Sequence, residues 1–169
     1  MLRSNEKSYL LSIPGDKIAS IKPFDLAAIQ AAQQIINEIK VRLPDLEIFF
    51  GGATALEIAG QNDIDLNLLS IPGEYNMHFP VLVELFGQPA KSSPTLIKWE
   101  FVRNGFEVEL YLTDRNSPEL QRQIQVYNLL LHNTDYKKEY EQIKLACNGM
   151  SFREYMKRKY EFFNKILAL

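Results

Sequence analysis

One segment of this 169-residue chain, residues 48–69, constrains the possible folds more than any other. It reads IFFGGATALEIAGQNDIDLNLL: an apolar run, a glycine pair, and two aspartates that alternate with apolar residues. Side chains of a strand alternate between its two faces, so we expect Asp63 and Asp65 on one face and their apolar neighbours in the core. Like charges this close raise the free energy of the ionised pair, and a bound cation offsets the repulsion. The segment therefore predicts a strand that carries a cation site.

The glycine pair predicts the second half of the same site. Gly51 and Gly52 follow an apolar run, and residues 53–59 are typical of a short helix, so the pair lies at a strand-to-helix junction. Glycine tolerates positive φ and allows a ligand to approach the main chain. Free amides at a helix N-terminus favour anions such as phosphate. A phosphate site next to paired carboxylates is the combination that a magnesium-bound triphosphate needs.

Periodicity and turn residues predict an α+β fold, in which a small mixed sheet carries the acids, helices flank it, and a C-terminal helical tail follows. Strands are expected at residues 9–13, 18–21, 47–50, 63–69, 95–102 and 106–112. Helices are expected at residues 25–42, 53–59, 77–86, 118–131, 134–147 and 151–168, and a polar loop at 89–94. Asn104-Gly105 is a strong hairpin signal. That hairpin would bring Glu107 and Glu109 next to the first acid strand.

Length, composition and the lone cysteine narrow the class of protein. The chain has the usual size of one domain, predicted as 1–169 with a core at about 20–115 and a helical tail at about 117–168. Apolar residues make up 46% and charged residues 24%, as in soluble globular proteins. No segment has the ~18 uncharged apolar residues that span a bilayer, and no secretion signal is evident, so we expect a cytoplasmic protein without a membrane partner. Cys147 alone can form neither an internal disulfide nor a structural zinc site.

The spacing of glycines and acids resembles the signature of the nucleotidyltransferase superfamily, which has a polymerase-beta-like fold. An apolar residue, Gly-Gly, ten intervening residues and an Asp-x-Asp flanked by apolar residues stand here without a gap. The resemblance implies a third acid on a later strand. The run FEVELYL at 106–112 has the alternation of such a strand, so Glu109 is expected in this role, with Glu107 as the alternative.

Within that superfamily the chain is most similar to the GrpB family, also called UPF0157, from about Pro23 to the C-terminus. Ser117-Pro118, shortly after the last predicted strand, is one part of the likeness. The pattern Tyr-x-x-x-Lys, which occurs twice in the tail and ends at Lys144 and at Lys159, is another.

The resemblance implies a magnesium-dependent nucleotidyltransferase, which moves a nucleotidyl group from an NTP, with ATP the expected donor, to a hydroxyl of an unidentified small molecule or protein. Oxygen ligands for one or two Mg²⁺ or Mn²⁺ ions would come from three acids: Asp63, Asp65 and Glu109. Contacts to the β- and γ-phosphates would come from Gly51, Gly52 and Thr54, with Lys144 as a further contact from the tail. Such ions align the triphosphate for in-line attack and stabilise the pyrophosphate leaving group.

Two other functions stay open. The chain departs from the GrpB pattern at Gly51-Gly52, where the family has Gly-Ser, at Gln61-Asn62, where it has Lys-Pro, and at 109–111, where it has His-x-His. These changes are consistent with a nucleotide-binding or regulatory module that has lost turnover. A metal-dependent nuclease also uses clustered carboxylates, but the net charge of −2, with −5 on residues 1–134 and +3 on 135–169, predicts no extended nucleic-acid surface.

Overall fold

The computed structural model describes residues 1–168, and their secondary structure is α+β, as predicted. The strands are β1 Glu47–Gly51, β2 Ile64–Ser70, β3 Lys91–Ser93, β4 Leu96–Arg103 and β5 Phe106–Asp114. The helices are α1 Ser4–Ser12, α2 Leu26–Arg42, α3 Gly52–Ala55, α4 Tyr75–Phe86, α5 Pro118–His132, α6 Thr134–Ala146 and α7 Phe152–Leu167. None of the helices within this described part is long and apolar enough to cross a membrane.

The five strands form one mixed sheet in the order β1-β2-β5-β4-β3. Among the strands of residues 1–168, only β2 and β5 pair in parallel, and their register places Asp65 opposite Glu109. The β4–β5 hairpin turns at Asn104 and Gly105, which have φ angles of 53° and 84°. Positive φ at both central residues is the geometry that an Asn-Gly hairpin favours. The predicted hairpin therefore sets the register that brings the second acid strand beside the first.

The two faces of the sheet have different environments. Apolar residues of β2 and β5 are almost fully buried on one face, where they pack against α2 and α4. These residues are Ile64, Leu66, Leu68, Val108, Leu110 and Leu112. Alternation then places the acids on the opposite face. The helical tail covers that face through a second apolar cluster that joins Leu56 and Ile58 to Val126, Leu130 and Phe162.

Side-chain caps explain where the three tail helices begin. The hydroxyl of Ser117 accepts a hydrogen bond from the backbone N–H of Leu120 at the start of α5. Asn133 caps α6 in the same way, and Ser151 caps α7 by accepting from the N–H of Glu154. Polar residues at the N-cap satisfy amides that lack a partner within the helix. The predicted helical tail is thus correct to within a few residues.

The strands predicted at residues 9–13 and 18–21 are wrong. Residues 9–12 belong to α1, and residues 18–21 form no strand apart from an isolated bridge between Ile18 and Ser151. Leu10 and Ile13 are buried against residues of α7 such as Met156. Periodicity over five residues cannot distinguish a strand from one buried side of a helix, and here the tertiary partner decides.

Two shorter predictions also differ from the structure. The helix expected at 53–59 is the single turn α3, because Glu57 has a φ of 57° and the chain then bends so that Gly60 pairs with Lys22. The loop expected at 89–94 contains the edge strand β3, which pairs with the start of β4. Three polar residues carry too little apolar signal to predict such a strand.

Candidate functional site

The carboxylate of Asp65 lies directly against the glycine junction. Gly51 ends β1 and Gly52 begins α3 with a φ of 78°. A Cβ on Gly52 would overlap Oδ2 of Asp65. Both the positive φ and the missing side chain are therefore needed here, and they leave the backbone next to an acid oxygen. The glycine turn and the first acid strand are neighbours in space, as well as in sequence.

Asp63 is positioned by the loop that precedes β2. Thr54 is buried, and its hydroxyl donates a hydrogen bond to the backbone carbonyl of Asp63 at 2.6 Å. Asn62 has a φ of 56°, a conformation that asparagine tolerates, and its side-chain amide donates to the carbonyl of Pro23 at 3.0 Å. The Thr54 hydroxyl thus holds the acid loop, and a contact with a phosphate stays a prediction.

The surroundings of Asp65 disfavour the charged form of its carboxylate. Burial raises the pKa of Asp65 to about 7, and the negative charges of Asp63 and Glu109 act in the same direction. Lys159 and Lys144 oppose this effect without cancelling it. A divalent cation would relieve the repulsion between Asp63 and Asp65. Carboxylate oxygens such as theirs suit the hard ions Mg²⁺ and Mn²⁺.

The raised pKa of Asp65 predicts that the metal-free protein loses stability as the pH rises. The folded state keeps a proton on Asp65 up to a pKa of about 7, whereas the unfolded chain releases it near 3.8. The free energy of unfolding should therefore fall between pH 4 and 8, by about 2–4 kcal/mol from this group. Asp65→Asn should flatten this dependence and be more stable than the parent at pH 8. Urea unfolding in EDTA at several pH values checks this, and equal slopes for both proteins would contradict it.

Asp45→Asn is the matched control for that experiment. Asp45 is exposed in the turn before β1, so the same chemical change there removes no buried charge. The pH dependence of unfolding should match that of the parent.

The third predicted acid, Glu109, is occupied by neighbouring side chains. Lys98 Nζ lies 2.6 Å from Oε1 of Glu109, and the hydroxyl of Tyr111 donates to Oε2 at 2.7 Å. Burial acts to raise the pKa of Glu109, but the hydrogen bonds from Lys98 and Tyr111 outweigh burial and hold this pKa below its usual value. Glu107, the alternative, is exposed and two residues nearer the hairpin turn. Glu109 is thus the acid that faces Asp65, but both of its oxygens are engaged.

A divalent ion therefore fits only part of the predicted ligand set as it stands. Nowhere in residues 1–168 do three His, Cys, Asp or Glu side chains form a group that could hold a metal ion. The negative charge of Asp63 acts on Asp65, and the role of these two carboxylates as metal ligands stays a prediction. Glu109 could join them through Oε1 only if Lys98 released that oxygen, since Tyr111 engages Oε2.

A cleft of about 560 Å³ opens between the acid-bearing face of the sheet and the helices of the tail. The sheet contributes residues from the glycine junction and both acid strands: Gly51, Gly52, Asp65, Asn67, Glu109 and Tyr111. The tail contributes Tyr127 of α5, Tyr140 of α6 and Lys159 of α7, among others. A shallower depression of about 660 Å³ along α5 has neither acids nor lysines in its lining, so it offers none of this chemistry.

The N-terminal helix α1 forms a further wall of this cleft. Arg3 and Tyr9 line the cleft. Tyr9 belongs to α1, where the sequence predicted a strand. Glu6 is buried and accepts hydrogen bonds from the backbone N–H of Arg3 at 2.7 Å and from the side-chain amide of Asn164 at 2.8 Å. This contact attaches α1 to α7.

The two lysines of the tail pattern take different positions. Lys144 is buried, its Nζ donates to the hydroxyl of Tyr155 at 2.6 Å, and it lies 5.0 Å from the centre of the Tyr140 ring. Lys159 lines the cleft. Burial lowers the pKa of Lys159, but interactions with Tyr155 and Asp65, when these groups are ionised, outweigh burial and raise it. A contact between Lys144 and a phosphate stays a prediction, and it would require Nζ to leave Tyr155.

Lys98 and Tyr111, which hold Glu109, are not among the site residues predicted from the sequence. Counting outward from the Asn104-Gly105 turn would have found both, because a two-residue hairpin pairs residue 103 with 106 and hence Lys98 with Tyr111. Residues of one pair lie on the same face, so both belong to the face of Glu109.

The chain is similar to two solved structures of Cid1. The first comes from work on the RNA terminal uridylyl transferase activity of Cid1. The match has a TM-score of 0.49 and 16% identity, and it covers 82% of this chain and 43% of the Cid1 chain. The other, Cid1 poly(U) polymerase with MgGTP bound, has a TM-score of 0.40 and 14% identity, and covers 82% of this chain and 48% of that one. The chain thus spans less than half the length of either structure. No curated protein matches it.

A comparison with protein-family models identifies the family of this chain. The family model described as GrpB protein matches residues 21–169, which include the glycine junction, the predicted acids Asp63, Asp65 and Glu109, and the whole helical tail. Helix α1 lies outside the matched range. The chain belongs to the GrpB family.

Proposed function

We propose that this protein is a metal-dependent nucleotidyltransferase that transfers a nucleotidyl group from an NTP to a hydroxyl of a small molecule or protein. The observation that carries the proposal is the contact between the carboxylate of Asp65 and the backbone at Gly52. Gly52 and Asp65 line the same cleft, so a bend proposed to bind anions lies next to an acid proposed to bind metal. Membership of the GrpB family and the superfamily spacing of glycines and acids support the same function.

Each part of the site has a role in this proposal. Asp63 and Asp65 would hold Mg²⁺ or Mn²⁺, and Glu109 would serve as a third ligand. A bound ion would neutralise the triphosphate and stabilise the leaving pyrophosphate. The backbone at Gly51 and Gly52 orients the β- and γ-phosphates through its N–H groups.

The rest of the cleft receives the remainder of the nucleotide and the acceptor. Its volume of about 560 Å³ lies within the range of small-molecule sites, roughly 300–1,000 Å³. Lys159 brings a positive charge to the lining from the tail side, opposite the acids. Aromatic side chains such as Tyr127 provide apolar surface for a base or an acceptor. ATP is the proposed donor.

Calorimetric titration with each NTP, with and without Mg²⁺, tests the proposal. Binding should require the metal, and at least one Mg-NTP should release pyrophosphate when candidate hydroxyl acceptors are screened with it. A protein that binds no NTP under either condition would contradict the proposed function.

A nucleotide-binding module without turnover is the second candidate, and one observation favours it. Lys98 and Tyr111 engage both oxygens of Glu109, so the third ligand is not available in this arrangement. Such a module would bind Mg-NTP without releasing pyrophosphate. The two assays together therefore separate the candidates.

A further inference from the structure

Lys98 stands between two carboxylates on the cleft face of the sheet. Glu100 on β4 and Glu109 on β5 are directly opposite each other in the register. Nζ of Lys98 is paired with both, at 2.6 Å from Oε1 of Glu109 and in close contact with Oε1 of Glu100. Like charges directly opposite on neighbouring strands destabilise a sheet, and this lysine removes that repulsion.

The two partners of Lys98 differ in their surroundings. The side chain of Glu100 is 54% exposed, whereas that of Glu109 is 39% exposed and also accepts a hydrogen bond from Tyr111. Glu109 faces Asp65 across the parallel pair, and Glu100 lies one strand farther away. Only one of the two carboxylates is therefore placed to join Asp65, while the other can keep the lysine.

We propose that Lys98 is a built-in competitor for the divalent metal, which keeps Glu109 out of the ligand set until Lys98 is held by Glu100 alone. The inference rests on the proposed function, since it concerns regulation of the same site. An ammonium ion and a metal cannot occupy the same carboxylate oxygen, so each weakens the binding of the other. Lysine is a point charge on a flexible stem, and it can move between carboxylates without moving the strand.

Two consequences follow for the protein without nucleotide. Divalent ions bind through Asp63 and Asp65, and only weakly, because the third ligand is engaged. The exposed Glu100 has a role in the site although it does not touch the metal, because it receives Lys98 when Glu109 is released.

Binding of Mn²⁺ without nucleotide, measured by calorimetry and by the loss of the free-ion EPR signal, tests the inference. Lys98→Met should bind Mn²⁺ at least about tenfold more tightly than the parent, because a positive charge next to a ligand is removed and Oε1 of Glu109 is freed, while Tyr111 keeps Oε2. Glu100→Gln should bind more weakly than the parent, since Lys98 then has only Glu109. Lys98→Gln repeats the test with a polar side chain if the methionine variant does not fold.

Lys91→Met is the matched control. Lys91 is exposed on β3 and pairs with Lys98 in the register, so the variant removes the same charge one strand farther from Glu109. It should change Mn²⁺ affinity by less than about twofold. The double variant Lys98→Met/Glu109→Gln should lose the gain of the single variant, because the freed ligand is then absent.

The outcomes separate this inference from the proposed function. If Asp65→Asn abolishes binding of Mn²⁺ and Mg-ATP but Lys98→Met binds Mn²⁺ like the parent, the inference is wrong and the proposed function stands. Equal gains in Lys91→Met and Lys98→Met, or a gain that survives Glu109→Gln, would also overturn the inference. If the parent and the Lys98 variants bind neither Mn²⁺ nor Mg-ATP, both the inference and the proposed function fail.

Discussion

Asp65→Asn is expected to abolish Mg²⁺-dependent nucleotide binding and to lower any turnover by at least about a hundredfold. Asp65 touches the glycine junction and lies opposite Glu109, so it takes part in both halves of the proposed site. Charge stabilisation by a metal contributes several kcal/mol to such reactions, and each 1.4 kcal/mol corresponds to about a factor of ten. Calorimetry with Mg-ATP and a pyrophosphate-release assay measure the two effects.

The variant separates loss of function from loss of fold. Asparagine keeps the shape of the side chain, so the strand, the contact with Gly52 and a cooperative unfolding transition should persist, with higher stability than the parent at pH 8. Asp63→Asn should lose metal-linked binding as well, whereas Asp45→Asn, which changes an exposed turn residue, should behave like the parent. A variant Asp65→Asn that binds Mg-ATP as tightly as the parent would show that the nucleotide site lies elsewhere.

The local part of the site could be predicted because short-range rules determine it. Asn104-Gly105 sets the hairpin register, and strict alternation places Glu109 on the face opposite Val108 and Leu110. The same alternation separates Asp65 from the buried residues on either side of it. None of these steps needs a contact between distant parts of the chain.

Helix α1 could not be predicted, because its partners are far away in the sequence. Leu10 and Ile13 are buried by residues 152–156 of α7, and the hydrogen bond from Asn164 to Glu6 spans 158 residues. A short apolar run preceding Pro14 is equally typical of a strand. The wall that α1 adds to the cleft therefore appears only in the folded structure.

The two tail lysines show a second limit of sequence patterns. Lys144 and Lys159 end the same Tyr-x-x-x-Lys pattern, yet one is buried against Tyr155 and the other lines the cleft. The pattern fixes which residues share one side of a helix. Which side meets the cleft depends on how α6 and α7 pack, and this is a property of the whole tail.

The ion pairs on the sheet are a third feature that the sequence predicts only in part. The hairpin register places Lys98, Glu100, Glu109 and Tyr111 on one face, and this much follows from the sequence. Which carboxylate the lysine contacts depends on its rotamers and on competition among neighbours. The alternation of β5 therefore predicts Glu109 as a candidate ligand, but it does not predict that Lys98 and Tyr111 engage its carboxylate.

Gly52→Ala is expected to damage the site more than it damages the fold. A residue with a side chain at a φ of 78° costs about 1–2 kcal/mol of stability. The added Cβ would also overlap Oδ2 of Asp65, and a carboxylate can give way by rotating out of the junction. The acid would then leave the glycine bend, so Mg-ATP binding should fall nearly as far as in Asp65→Asn.

Gly149→Ala isolates the backbone term of that prediction. Gly149 has a φ of 80°, and a Cβ there would meet no atom within 4 Å. The free energy of unfolding of Gly149→Ala should fall by a similar amount, about 1–2 kcal/mol, while its affinity for nucleotide stays unchanged. Gly73→Ala, which has open space and no positive φ, should change neither quantity by much. If Gly52→Ala loses only the stability that Gly149→Ala loses and binds Mg-ATP normally, the contact between Gly52 and Asp65 is structural and forms no part of a nucleotide site.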